Sequence, residues 1–184
     1  MKTSLRLSLC SVLGLALNLG AADKVAIESH FTSYHAAGKA IVEASLTRKV
    51  DATELDKKVQ TMVADAVWFA GEYAKAFPTG QKLLKAVTDS VEAMKKLSFK
   101  DLEHEWHDMH HFEAADKDIG LDLKSEDNEH FTDPIHTIVH PLLALKAAQD
   151  YSSSKSADAL KSMKEEMEEG LEQIEKMKNV LLKK

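Results

Sequence analysis

Along most of this chain apolar residues return in alternating steps of three and four. From Asp23 to about Arg48 the seam is Ile27, Phe31, Tyr34, Gly38 and Ile41, which is the spacing of one helix face. Asp51 and Glu54 then stand at N-cap and capping-box spacing, with Asp in place of the usual Ser or Thr. A second seam follows through Leu55, Val59, Met62, Ala66, Phe69 and Tyr73, and Pro78 with Gly80 ends it. The third runs through Leu84, Val87, Val91 and Met94. Ser98 and Asp101 restart the phase for a shorter stripe of Phe99, Leu102, Trp106 and Met109. Thr132 or Asp133 caps the next helix, with Pro134 in its first turn, where a missing N–H does no harm. The last helix starts near Ser156 and carries Leu160, Met163, Met167, Gly170, Ile174, Met177 and Leu181.

No segment keeps the alternation of a strand. Ile119, Leu121 and Leu123 alternate without an obvious partner strand. Long helices joined by short turns favour antiparallel neighbours. The pattern therefore predicts an all-α fold, an up-down four-helix bundle whose third helix is broken near Ser98. A long acidic loop, Glu113 to Phe131, is expected between the third and fourth helices; connections of that length are often functional. Residues 23–184 form one domain.

Composition adds a compartment. Met1 to Arg6 holds Lys2 and Arg6 and no acid, Leu7 to Leu19 is apolar, and Gly20-Ala21-Ala22 is small. That is the order of a secretory signal, and the apolar run is short for a membrane span. Residues 1–22 are thus expected to be a cleaved signal peptide, giving a periplasmic or secreted protein. Removing Lys2 and Arg6 takes the net charge from −6 to −8 and removes Cys10, the only cysteine. Disulfides, thiolate metal sites and a thiol nucleophile are excluded from the mature chain. Its acidity argues against a nucleic-acid partner, and no second apolar stretch is long enough to span a membrane. A hydrophobic fraction of 44% excludes a disordered chain.

The histidines carry the candidate chemistry. Seven of the nine lie between His104 and His140. At 100° per residue Glu103, His107 and His110 form one ridge beside the Trp106 stripe, while His104 and His111 point the opposite way. One carboxylate and two imidazoles can bind Zn, Ni, Cu or Fe. His136 and His140, at i and i+4, form a second pair able to grip one metal. Pro141 is expected to disturb the helix just after them, and the pair sits off the stripe of Ile135, Val139 and Leu142. If the two helices pack antiparallel, Glu103, His107, His110, His136 and His140 converge, with His130 on the loop as a further ligand. Asp116, Asp118, Gly120 and Asp122 echo a calcium loop, but Leu121 stands where an EF-hand needs its glycine.

Other chemistries are weaker. A carboxylate-bridged di-iron bundle wants two Glu-x-x-His motifs, and the sequence holds none. There is no glycine-rich phosphate loop and no nucleophile elbow. Met163 and Met167 lie on a helical stripe and are read as core. The leading expectation is an exported helical bundle that binds a transition metal through the His/Glu cluster as a carrier or sensor. Two alternatives stand beside it. One is a haem b bundle using a histidine with Met109 or a second histidine as axial ligands. The other is a metal-free interaction or chaperone-like protein, with a protein partner or a homodimer. An enzyme is the weaker reading, because no general base is committed.

Overall fold

The structure is a computed structural model that describes residues 21–112 and 121–183. Residues 1–20 of the expected 1–22 leader, the start of the acidic loop at Glu113 and the calcium-like run through Asp116, Asp118 and Gly120 lie outside the described residues. The elements are helices, and no strand occurs among the described residues. Four are long: α1 (Ala21–Thr47), α2 (Ala52–Ala76), α6 (Thr132–Ser154) and α7 (Ala157–Lys183). Each packs along two others, α1 on α2 and α7, and α6 on α2 and α7. No helix among the described residues is long and apolar enough to cross a membrane.

The seams read from the sequence become the core. Ile27, Tyr34 and Ile41 of α1, Met62, Phe69 and Tyr73 of α2, and Met163, Met167, Ile174 and Met177 of α7 are buried. Each such side chain removed from water contributes roughly 1.5–3 kcal/mol before entropy is counted. Leu160 is only half-buried, and Ala159 beside it takes the core position. Asp51 caps α2 as expected, its Oδ1 accepting the N–H of Thr53 at 2.9 Å and of Glu54 at 3.2 Å. The Glu54 carboxylate turns to Lys57 instead, at 2.7 Å.

The middle segment departs most from expectation. It is a string of short helices, α3 (Gln81–Asp89), α4 (Val91–Met94) and α5 (Phe99–Leu102), with breaks at Ser90 as well as Ser98. Ser90 donates its hydroxyl back to the Ala86 carbonyl at 2.8 Å, a local bond that competes with helix continuation. Ser98 caps α5 by accepting the Asp101 N–H at 3.1 Å. Residues 81–107 therefore lie as a bent strap along the long helices. Gly80 admits this path, since a Cβ there would sit 2.0 Å from the Phe131 ring.

Helix α6 continues unbroken past Pro141, where a disturbance was expected. Proline at that position removes the N–H that would bond the Thr137 carbonyl. The phenol of Tyr34 on α1 donates to that carbonyl instead, at 2.9 Å, and both residues are buried. Burial extends beyond the expected stripe of Ile135, Val139 and Leu142 to nearly every face of α6, so that His140, off that stripe, is buried as well.

Candidate metal centre

After α5 the backbone widens. Over Glu103–His107 the chain takes a π-helical turn, closed by the Asp108 N–H on the Glu103 carbonyl at 2.8 Å. Met109 then adopts φ 65°, a left-handed conformation that costs a non-glycine residue about 1 kcal/mol and reverses the chain. Wide turns of this kind frequently sit at functional sites. Trp106 stays buried and anchors the turn to the core.

The turn aims His107 at α6. Its ring stacks on His136, with centroids 5.0 Å apart and planes 18° apart, and meets His140 edge-on at 5.1 Å. His136 and His140 are 5.4 Å apart, one helical turn along α6. Three imidazoles from two elements thus meet in one place. His136 Nε2 lies 3.1 Å from the His107 backbone carbonyl, which can only accept, so Nε2 carries a proton and ties the π turn to α6.

The third wall is α7. Gly170 faces His140, where a Cβ would lie 3.1 Å from the His140 Cβ and 3.1 Å from the Tyr34 hydroxyl. The missing side chain lets the two helices close together. Two carboxylates one turn apart on α7 then bracket the imidazole of His140, which is 1% exposed. Glu166 Oε2 lies 2.9 Å from Nδ1 and Glu169 Oε2 lies 3.7 Å from Nε2. An ionised carboxylate at Nδ1 fixes the proton there and leaves the Nε2 lone pair facing Glu169.

Metal-ligating atoms of His107, His140 and Glu169 all lie within 4.8 Å of one another. Tetrahedral ligands at metal distances of 2.0–2.2 Å are about 3.4 Å apart, so the His140–Glu169 pair at 3.7 Å needs little adjustment. The contacts behind the ligands also fit. Glu166 backs His140, and Asp108 Oδ1 approaches His107 Nδ1 at 3.3 Å. Metal-binding histidines commonly give their second nitrogen to a carboxylate, which fixes the tautomer and makes the ligand more basic.

Not every expected residue arrives here. His107, His136 and His140 do. His110 does not: the π turn and the reversal at Met109 spoil the 100° step after His107, and its ring stacks on His104 at 4.2 Å, 28° between planes. The expected opposition of those two residues is thereby corrected. Glu103, half-buried on the π turn, belongs to neither group of metal-ligating side chains found among the described residues. His130 packs elsewhere, its Nδ1 3.1 Å from the Tyr73 hydroxyl and its ring against Phe77 at 4.8 Å. His111 lies flat on Trp106 at 4.1 Å. Glu166 and Glu169 were missed, because a glutamate-rich helix face reads as solvated. Gly170 on an otherwise large-residue seam was the available sign of a close approach.

Charge in this corner is shaped by burial. Desolvation, then the neighbouring His140 and His107, push the His136 imidazole down from the ordinary 6.5 to about 4. It is neutral over the physiological range. Burial first, with Glu129 and Glu172 adding to it against Lys176, raises the Asp133 carboxyl at the start of α6. Burial and nearby Asp65 hold the Tyr34 phenol well above its usual value, so it remains a donor to Thr137. No family model matches the chain, and neither the curated proteins nor the solved structures contain a match.

Proposed function

We propose that this protein is an exported four-helix bundle, up-down in topology, that binds a transition-metal ion and serves as a carrier or sensor. His107 and His140 act through Nε2 and Glu169 through its carboxylate. The observation that supports the reading is the convergence of those three groups from the π turn, α6 and α7 within 4.8 Å, with a carboxylate behind each imidazole. Two imidazoles and one carboxylate suit zinc or ferrous iron, and nickel or copper accept the same donors. Three protein ligands leave a coordination position open, which suits an ion that must be exchanged. His136 is a positioning residue that holds the His107 backbone against α6. Export rests on the Lys2/Arg6, Leu7–Leu19 and Gly20-Ala21-Ala22 order.

The test is calorimetric titration of the full chain with Zn(II), Ni(II) and Cu(II), beside metal analysis and a visible spectrum of protein purified from its own host. Glu169→Gln and His107→Ala should each weaken the tightest ion about tenfold or more, while His111→Ala leaves it unchanged. Glu169 is more than half exposed, so its variant folds. Unchanged affinity in both Glu169→Gln and His107→Ala would overturn the assignment. A Soret band in the native protein would replace it with haem.

A further inference from the structure

The two edges of the π turn carry different groups. On one edge His107 faces α6 and α7. On the other, the reversal at Met109 folds His110 back over His104, and Asp108 joins them, so that metal-ligating atoms of His104, Asp108 and His110 lie within 4.8 Å of one another. All three residues are exposed. The rings of His104 and His110 lie nearly parallel at 4.2 Å. A turn of ordinary α-helix would not place residues six apart in contact; the widened turn and the left-handed Met109 do.

Asp108 belongs to both edges. One oxygen, Oδ1, is 3.3 Å from His107 Nδ1, and a carboxylate has lone pairs to spare for a second partner. We propose that His104, Asp108 and His110 form a second, solvent-exposed site for a divalent transition-metal ion, joined to the inner site through the Asp108–His107 contact. This rests on the inner-site reading only for the coupling; the outer donors stand on their own geometry. The outer ion takes two imidazoles and one carboxylate, completes its shell with water, and exchanges with solvent faster than the inner ion. Because Asp108 also orients the His107 ring, filling the outer site stiffens the ligand of the inner one.

The experiment uses Zn(II) as probe and counts ions per full-length chain by equilibrium dialysis with calorimetry. The unaltered protein should hold two ions, the outer one weaker. The double variant His104→Ala/His110→Ala should hold one, the inner ion, bound more weakly than in the unaltered protein because no outer ion then stiffens His107. Glu169→Gln should retain the outer ion. Asp108→Asn should lose the outer ion and weaken the inner about tenfold, the loss typical of removing a group that orients a metal-bound histidine. Both histidines and Asp108 are exposed, so these variants fold. A His104→Ala/His110→Ala protein that still binds as many ions as its parent would overturn the outer site, whatever Glu169→Gln does. Normal loss of the outer ion with no weakening of the inner in Asp108→Asn would overturn the coupling. Failure of Glu169→Gln alone to change binding would count against the inner reading and leave the outer site standing.

Discussion

Replacing Tyr34 with Phe removes one oxygen from the core and should reveal how α6 survives its proline. The Tyr34 hydroxyl is the donor to the Thr137 carbonyl, at 2.9 Å, in a place where Tyr34 and Thr137 are both 0% exposed. That carbonyl lacks its helical donor because residue 141 is proline. The Tyr34→Phe variant leaves a buried acceptor unsatisfied, at a cost of about 1–3 kcal/mol. For a chain of this size that corresponds to a fall in Tm of roughly 2–4 °C per kcal/mol. Pro141→Ala restores an N–H aimed at the same carbonyl. The Tyr34→Phe change should therefore be milder in a Pro141→Ala background, by about 1 kcal/mol in a double-mutant cycle read by urea denaturation. Additive losses would refute the reasoning, because they would mean that the phenol and the proline do not share the carbonyl.

Three further outcomes are expected. In chelator-treated protein, stability should be full above pH 6.5, fall as pH drops from about 6.5 to about 4, and level off below. The unfolded chain takes up the His136 proton first, since folding holds that imidazole down near 4. The full fall is about 3 kcal/mol, and urea midpoints that stay flat across this window would contradict it. Ile174→Asp should unfold the chain, as Ile174 is fully buried on α7 and an unpaired buried charge costs several kcal/mol; a native circular dichroism melt would show otherwise. N-terminal sequencing of the extracytoplasmic protein should begin at Ala22 or Asp23, and an intact Met1 on the native soluble form would sink the export proposal.

The long helices were legible because their seams have the 3.6-residue period, and every one of Ile27, Met62, Phe69, Met167 and Ile174 ends in the core. Pairing of His136 with His140 was legible for the same reason, as i,i+4 neighbours on a regular helix. What failed depended on irregular backbone or on partners distant in sequence. His110 leaves the ridge because a π turn cannot be read from side-chain spacing. Helix α6 continues past Pro141 because of a phenol on α1, more than a hundred residues away. Glu166 and Glu169 look like any solvated pair until Gly170 is seen against His140.

The pairing of α1 with α7 has a consequence for how the molecule is made. These helices are separated in sequence by everything from α2 to α6, yet they lie side by side. Closing so long a span costs loop entropy that only the completed interface returns. During synthesis α1 can dock on α2 early, but its other flank, with Phe31 and Gly38, stays wet until α7 emerges. The same late helix brings Glu166 and Glu169 to His140. A chain interrupted before α7 would thus present an open apolar trough and leave His140 without its two carboxylates, while His107 keeps Asp108. Assembly of the candidate centre and sealing of the core are one event, and it is the last.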